Sequence, residues 1–243
     1  MSQRNSSVWL LLWVLSHAGI VLGETVAEYL PLADGNTWTY RVTGPNGTYN
    51  ESITVQPGTT MINGVATKEL EITGAPDGDA FEYWTNDEQG IRLHGAYLPV
   101  TEIGPAWLIL EPPMVIAKRI MSIGDGVDSS GQAEFIFEGF GTFILDYESS
   151  SKVVGLNTIN VPAGTYETIR FGGSLRIYGF LLGEWYEDAS TDTTWLAKYV
   201  GQVKNIYEDS DGVEESVLIS TNVQPPAVQP APFLPFILHL LLD

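Results

Sequence analysis

The chain has 243 residues, 44% of them hydrophobic, enough for one sizeable core or two small ones. Its 30 acidic side chains against 11 basic ones give a net charge of −19, which repels phosphate backbones and anionic bilayers and argues against a nucleic-acid partner. Cysteine is absent, so disulfides, thiol nucleophiles and thiolate metal sites are excluded, and no cofactor or metal site is expected.

The N-terminus has the pattern of a secretory signal peptide over residues 1–23. Arg4 gives a weakly basic start, Val8 to Leu15 is unbroken apolar sequence, and Ser16, Ala18 and Gly19 follow. The apolar core is short for an anchor, since spanning takes ~20 predominantly apolar residues. The expectation is therefore an exported chain, periplasmic or extracellular, with no transmembrane span once the leader helix is removed.

The body reads as strands. TWTYRVT at Thr37–Thr43 alternates and leads into the turn GPNG; ESITV at Glu51–Val55 is its hairpin partner. TKELEIT at Thr67–Thr73 follows the turn NGV. FEYWT lies between PDGD and NDEQG, and the run YWTNDEQGIRLHG reads as a hairpin with His94 facing outward. Residues 24–98 form a first β half.

Residues 99–121 interrupt the pattern. PVTEIGPAWLILEPPMVIAKRIM is apolar and carries four prolines, which argue against a continuous helix and against a central strand across them. It is a connector. Its apolar side chains Trp107, Leu108, Leu110 and Met114 either line a pocket for an apolar ligand or simply pack on the core.

Strand signals resume over residues 122–222, the second β half. AEFIFEGF, TFILDYE, YETIRF, SLRIYGF, GEWYED, TTWLAKY, GQVKNIYED and EESVLIST are separated by turn residues. Residues 223–243 form a proline-rich spacer and an apolar tail, Phe233–Leu242. The tail is either a docking element or a segment packed back on the domain, and Pro235 disfavours a long helix in it.

The halves resemble each other. Trp84 precedes Gly90 by six residues, and Trp195 precedes Gly201 by six. Upstream of each lie a turn and a strand, NGVATKELEI and PAGTYETIRF, and further upstream a glycine turn, LADGNTW and MSIGDGV. Shared order of three landmarks points to an internal repeat. The expected fold is thus all-β: an antiparallel curved sheet or half-open barrel built from two similar halves.

LPLADGNTWTYRV, INVPAGTYETIRF and TWLAKYVGQVKNIYE also resemble landmarks of a group of uncharacterised bacterial cell-envelope proteins. That group shows a Gly-Asn-x-Trp turn, a Val-Pro-Ala-Gly-Thr strand entry and a Trp-Leu-Ala-x-x-Val-Gly-x-Val-Lys hairpin. The similarity covers about Tyr29 to Glu208 and is looser in the first half, where Asn63-Gly64-Val65 stands for Pro-Ala-Gly. It implies an exported β-rich domain, of the half-open barrel kind found in lipoprotein carriers. It brings no catalytic residues with it.

Little catalytic chemistry is visible. A Ser-His-Asp arrangement would rest on His94, since His17 lies in the leader and His239 in the tail. EDSDGVEE at Glu208–Glu215 holds only a fragment of a calcium loop and reads as a hairpin turn. Glu184, Glu187 and Asp188 flank Trp185 and Tyr186, a composition compatible with glycan hydrolysis. Three readings stand: a non-enzymatic exported protein binding lipid, another apolar ligand or an envelope component; an interaction module docking through its tail; and a glycan hydrolase.

Overall fold

Alternating side chains become strands that bury one face and wet the other. The computed structural model describes residues 23–45, 47–99 and 105–224. Twelve strands follow one another: β1 Thr37–Gly44, β2 Gly47–Val55, β3 Val65–Thr73, β4 Ala80–Asp87, β5 Gly90–Leu98, β6 Ala106–Ala117, β7 Gly126–Phe137, β8 Gly141–Val161, β9 Gly164–Leu181, β10 Glu184–Ala197, β11 Gly201–Asp209 and β12 Gly212–Thr221. Each is antiparallel to the next, and β12 returns to pair with β1, from Glu215↔Thr43 to Thr221↔Trp38. The expected half-open barrel is therefore corrected to a closed one. The β6–β7 and β12–β1 ladders join the two six-strand runs on both sides and leave no unpaired edge between them. The leader, residues 100–104 of the connector and the tail from 225 onward lie outside the described residues.

The connector contains a strand. β6 runs across Pro112 and Pro113 and pairs on both sides, contrary to the expectation from proline. The ladder is broken where the prolines sit. Pairing with β7 stops at Glu111↔Gln132, and pairing with β5 jumps from Gly95↔Ile109 to Leu93↔Met114. The missing N–H groups thus fall in a gap. Beyond it the Ser129 hydroxyl substitutes for a strand partner, accepting from Val115 N at 3.0 Å. Gly131 is required beside the gap, because a Cβ there would lie 2.4 Å from Glu111 O.

Inside and outside follow the two-residue period. On β8, Leu145, Tyr147, Ser151 and Val153 point inward and are buried, while Asp146, Glu148, Ser150 and Lys152 point outward and are exposed. A 3-10 helix, Val26–Tyr29, plugs one end, with Val26 and Tyr29 packed against Ile91, Met121, Val153, Ile169 and Phe171. Two hairpin turns clamp it. Asn86 Nδ2 donates to Ala27 O and Leu30 O, both at 2.8 Å, and Tyr199 N donates to Glu28 O at 2.6 Å. The β8–β9 turn curls over the same barrel and bonds β12 through Ala163 N to Leu218 O at 3.1 Å.

One local geometry occurs twice. Gly35 N donates to Val55 O at 2.9 Å, Val55 N to Asn36 O at 2.9 Å, and Asn36 N to Ala33 O at 3.1 Å. Gly124 N donates to Val153 O at 2.8 Å, Val153 N to Asp125 O at 2.9 Å, and Asp125 N to Ser122 O at 3.0 Å. Gly35 and Gly124 both hold positive φ, +80° and +96°, a region that favours glycine.

His94 is not an outward, solvated residue. It is 1% exposed, and its Nε2 lies 2.9 Å from the buried Thr85 hydroxyl. The β4–β5 register slips beside it, between Tyr83↔Gly95 and Trp84↔Leu93, so simple alternation misplaces it.

Candidate ligand-binding lumen

The barrel is not filled. Its interior holds a cavity of about 410 Å³, within the usual ~300–1,000 Å³ of small-molecule sites. The hollow has a cause in the sequence: inward positions that elsewhere carry large side chains carry small ones here. Ser149 and Ser151 on β8, Gly173 on β9 and Ser190 on β10 face the space. Trp38, Tyr40, Leu70, Trp84, Phe171 and Leu196 are among the apolar residues of the wall.

Two carboxylates line the chamber. Glu82 on β4 shares its face with Leu70 across the ladder and accepts from Trp84 Nε1 at 2.9 Å. Burial pushes its carboxyl above the ordinary range. Asp192 on β10 accepts from the Thr194 hydroxyl at 2.9 Å, which in turn accepts from Asn205 Nδ2 at 2.8 Å. Burial raises Asp192 as well. β4 and β10 have five strands between them in either direction round the barrel, so the two acids face the space from opposite walls.

Glu51 adds a third inward carboxylate, directly across the ladder from the buried Tyr40. Burial, then the charges of Glu214 and Glu82, push it up to about 7. Glu214 accepts from Tyr49 Oη at 3.3 Å; burial, with Glu214 beside it, raises that phenol to about 12. Among the described residues the cavity wall contains no lysine, arginine or histidine.

The residues singled out in the sequence do not come together as one site. Leu108, Leu110 and Met114 are buried in a cluster with Ala96, Ala133 and Tyr147, and of the four only Met114 lines the cavity. Trp107 points to the other face, stacked on Tyr83 at 5.7 Å and edge-on to Tyr97 at 5.3 Å. The alternation along β6 separates Trp107 from its neighbours. Sequence reasoning passed over Glu51, Glu82 and Asp192 because an acid in a strand ordinarily marks the solvent face. The usable signal was their spacing: Glu51 shares a parity with Ile53, and Glu82 with Trp84.

Asp209, Asp125 and Glu187, from the other acidic runs, have local structural roles. Asp209 Oδ1 accepts from Asp211 N at 2.8 Å and Gly212 N at 3.2 Å, closing the β11–β12 turn. Asp125 Oδ2 accepts from Ser122 N at 2.8 Å. Glu187 accepts from Arg176 Nε at 3.0 Å, and that bond holds its carboxyl below the ordinary range. Among the described residues no helix is long and apolar enough to cross a membrane.

No protein-family profile matches the chain, and no curated protein is similar to it. Among solved structures, it is similar to a candidate exported protein with a YmcC-like fold from Bacteroides fragilis: 14% identity, TM-score 0.48, covering 79% of this chain and 97% of that one. It is also similar to a candidate lipoprotein from Parabacteroides distasonis, at 12% identity and TM-score 0.43, covering 79% and 97% of the two chains. A third likeness is to the hypothetical lipoprotein YmcC from Escherichia coli, at 11% identity and TM-score 0.36, covering 96% and 100%. At these scores the fold and role of this chain rest on its own geometry.

Proposed function

We propose that this is an exported, non-enzymatic protein that holds an apolar small molecule inside its barrel. The observation that carries the reading is the hollow, mostly apolar lumen kept open by inward serines and a glycine. Burying apolar ligand surface there gains about 25 cal/mol per Å² before the costs of binding. The outward charges on β8 are the reverse of a lipid-facing strand, which fits a barrel whose interior is the apolar side. Export rests on the leader pattern at residues 1–23, and the two six-strand runs are read as copies of one unit.

The test is titration of residues 24–243 with N-phenyl-1-naphthylamine, a neutral dye that brightens in apolar surroundings. Saturable 1:1 binding that is lost in a Ser149→Leu, Ser190→Leu double variant supports the lumen. Binding that survives filling, or no saturable binding, overturns it.

Hydrolysis is the weaker reading. Glu187 and Asp188 are consecutive in β10 and point to opposite faces, and Glu187 is held by Arg176. Docking through Phe233–Leu242 is tested by deleting that segment and measuring oligomeric state.

A further inference from the structure

A chamber that only stored hydrocarbon would have no use for half-buried carboxylates. Desolvating an acid without a cationic partner is costly, and apolar residues of similar size would be cheaper. Yet Glu82 and Asp192 line the wall, Glu51 sits one step beyond, and among the described residues no ion pair reaches any of the three. Their partners are neutral donors: the Trp84 indole for Glu82 and the Thr194 hydroxyl for Asp192. The Asn205–Thr194–Asp192 chain aims its last hydrogen bond at the carboxylate and so fixes it on the wall.

We propose that the lumen selects amphiphiles with a positively charged polar end, an alkylamine being the simplest, whose chain lies along the apolar wall and whose ammonium group meets a wall carboxylate, either Glu82 with Glu51 beside it or Asp192 on the opposite wall. This deepens the apolar-ligand reading and rests on it. An ammonium group has three donors and supplies the missing counter-charge. A fatty acid would bring a fourth carboxylate into a chamber without cations. The elevated carboxyl groups add a signature. A bound cation favours the ionised acid, so affinity rises with pH as Glu82 and Asp192, both raised by burial, give up their protons. The ionisable groups around Glu51 are Tyr40 of β1, Tyr49 of β2, Glu82 of β4 and Glu214 of β12, with Asp77 of the β3–β4 turn acting on Tyr49; none of them is basic.

The experiment compares dodecylamine, dodecanol and dodecanoate, each below its micellar concentration, in displacing N-phenyl-1-naphthylamine from residues 24–243 at pH 7.5. Dodecylamine is expected to compete at least tenfold more strongly than dodecanoate. That ratio should fall below threefold when Glu82→Gln and Asp192→Asn are combined, which removes both wall acids while keeping the shape. It should persist in Glu208→Gln, which removes an exposed charge of the same sign on β11. Equal or stronger competition by dodecanoate overturns the proposal and leaves the lumen reading standing. An amine preference unchanged in that double variant also overturns it, because net charge then explains the preference. If the dye itself does not bind, both readings fail together.

Discussion

Glu51→Gln is expected to make the protein more stable, increasingly so as pH rises. The carboxyl sits opposite Tyr40 inside the barrel, and burial with Glu214 and Glu82 raises it from 4.5 to about 7. Below about 4.5 both folded and unfolded chains carry the proton, and the residue costs nothing. Between about 4.5 and 7 the folded chain holds a proton that the unfolded chain has released, so folding stability falls as pH rises; above about 7 the loss is complete. At ~1.36 kcal/mol per pKa unit, the rise corresponds to at most ~3.4 kcal/mol, and contact with chamber water reduces that to about 2. Urea denaturation of both proteins at pH 5, 6, 7 and 8 measures it. The difference should be within ~0.5 kcal/mol at pH 5 and about 2 kcal/mol in favour of glutamine at pH 8. A variant that is equally stable at both ends, or less stable at pH 8, refutes the placement of this carboxylate among like charges inside the barrel. If stability rises while amine competition weakens, the acid is retained for binding at the expense of folding.

Filling the lumen with Ser149→Leu or Ser190→Leu should lower dye affinity at least tenfold without lowering the melting temperature, because the new side chain enters existing space. Thr85→Val leaves the His94 ring without its partner and should cost about 1–3 kcal/mol by denaturation. Burial lowers the His94 pKa from 6.5, so the folded state resists protonation there and stability should drop as pH falls below about 6.5; His94→Gln should remove that component. Gly90→Ala should be severe, on the order of 3 kcal/mol or loss of folding, since φ is +111° and a Cβ would sit 2.1 Å from Ala117 O. Gly35→Ala, at φ +80° with nothing within 4 Å, should cost only about 1 kcal/mol.

Much of the architecture was legible in the sequence. The alternation in TWTYRVT is β1, with Trp38, Tyr40 and Val42 inside and Arg41 outside. Turn glycines such as Gly35, Gly64, Gly90, Gly124, Gly164 and Gly201 all hold positive φ. Strand length was less legible. YETIRF and SLRIYGF are one strand, β9, and GEWYED and TTWLAKY are another, β10. Their middles, Gly172–Ser174 and Ala189–Thr191, resemble loops in composition because they face or flank the open lumen rather than a packed core. The matched tryptophans also diverge. Trp84 lines the lumen, whereas on β10 it is Leu196 that does so, and Trp195 lies on the opposite face with Lys204 Nζ 5.3 Å from its ring centroid. The two hairpins differ by one loop residue, closing at Asp87↔Gly90 and Ala197↔Gly201, and one residue exchanges the faces of a strand.

The sequence by itself determined an all-β chain of antiparallel strands, because the two-residue period and the turn glycines are local properties of the backbone. It also determined the acidity, the absence of thiol chemistry and the twofold recurrence of landmarks. Tertiary structure alone decided that the sheet closes, since closure depends on β12 meeting β1 some 170 residues earlier in the chain. It alone decided that Glu82 and Asp192 face one chamber and that serines leave it hollow, because whether an inward position is filled depends on the side chains reaching it from the opposite wall.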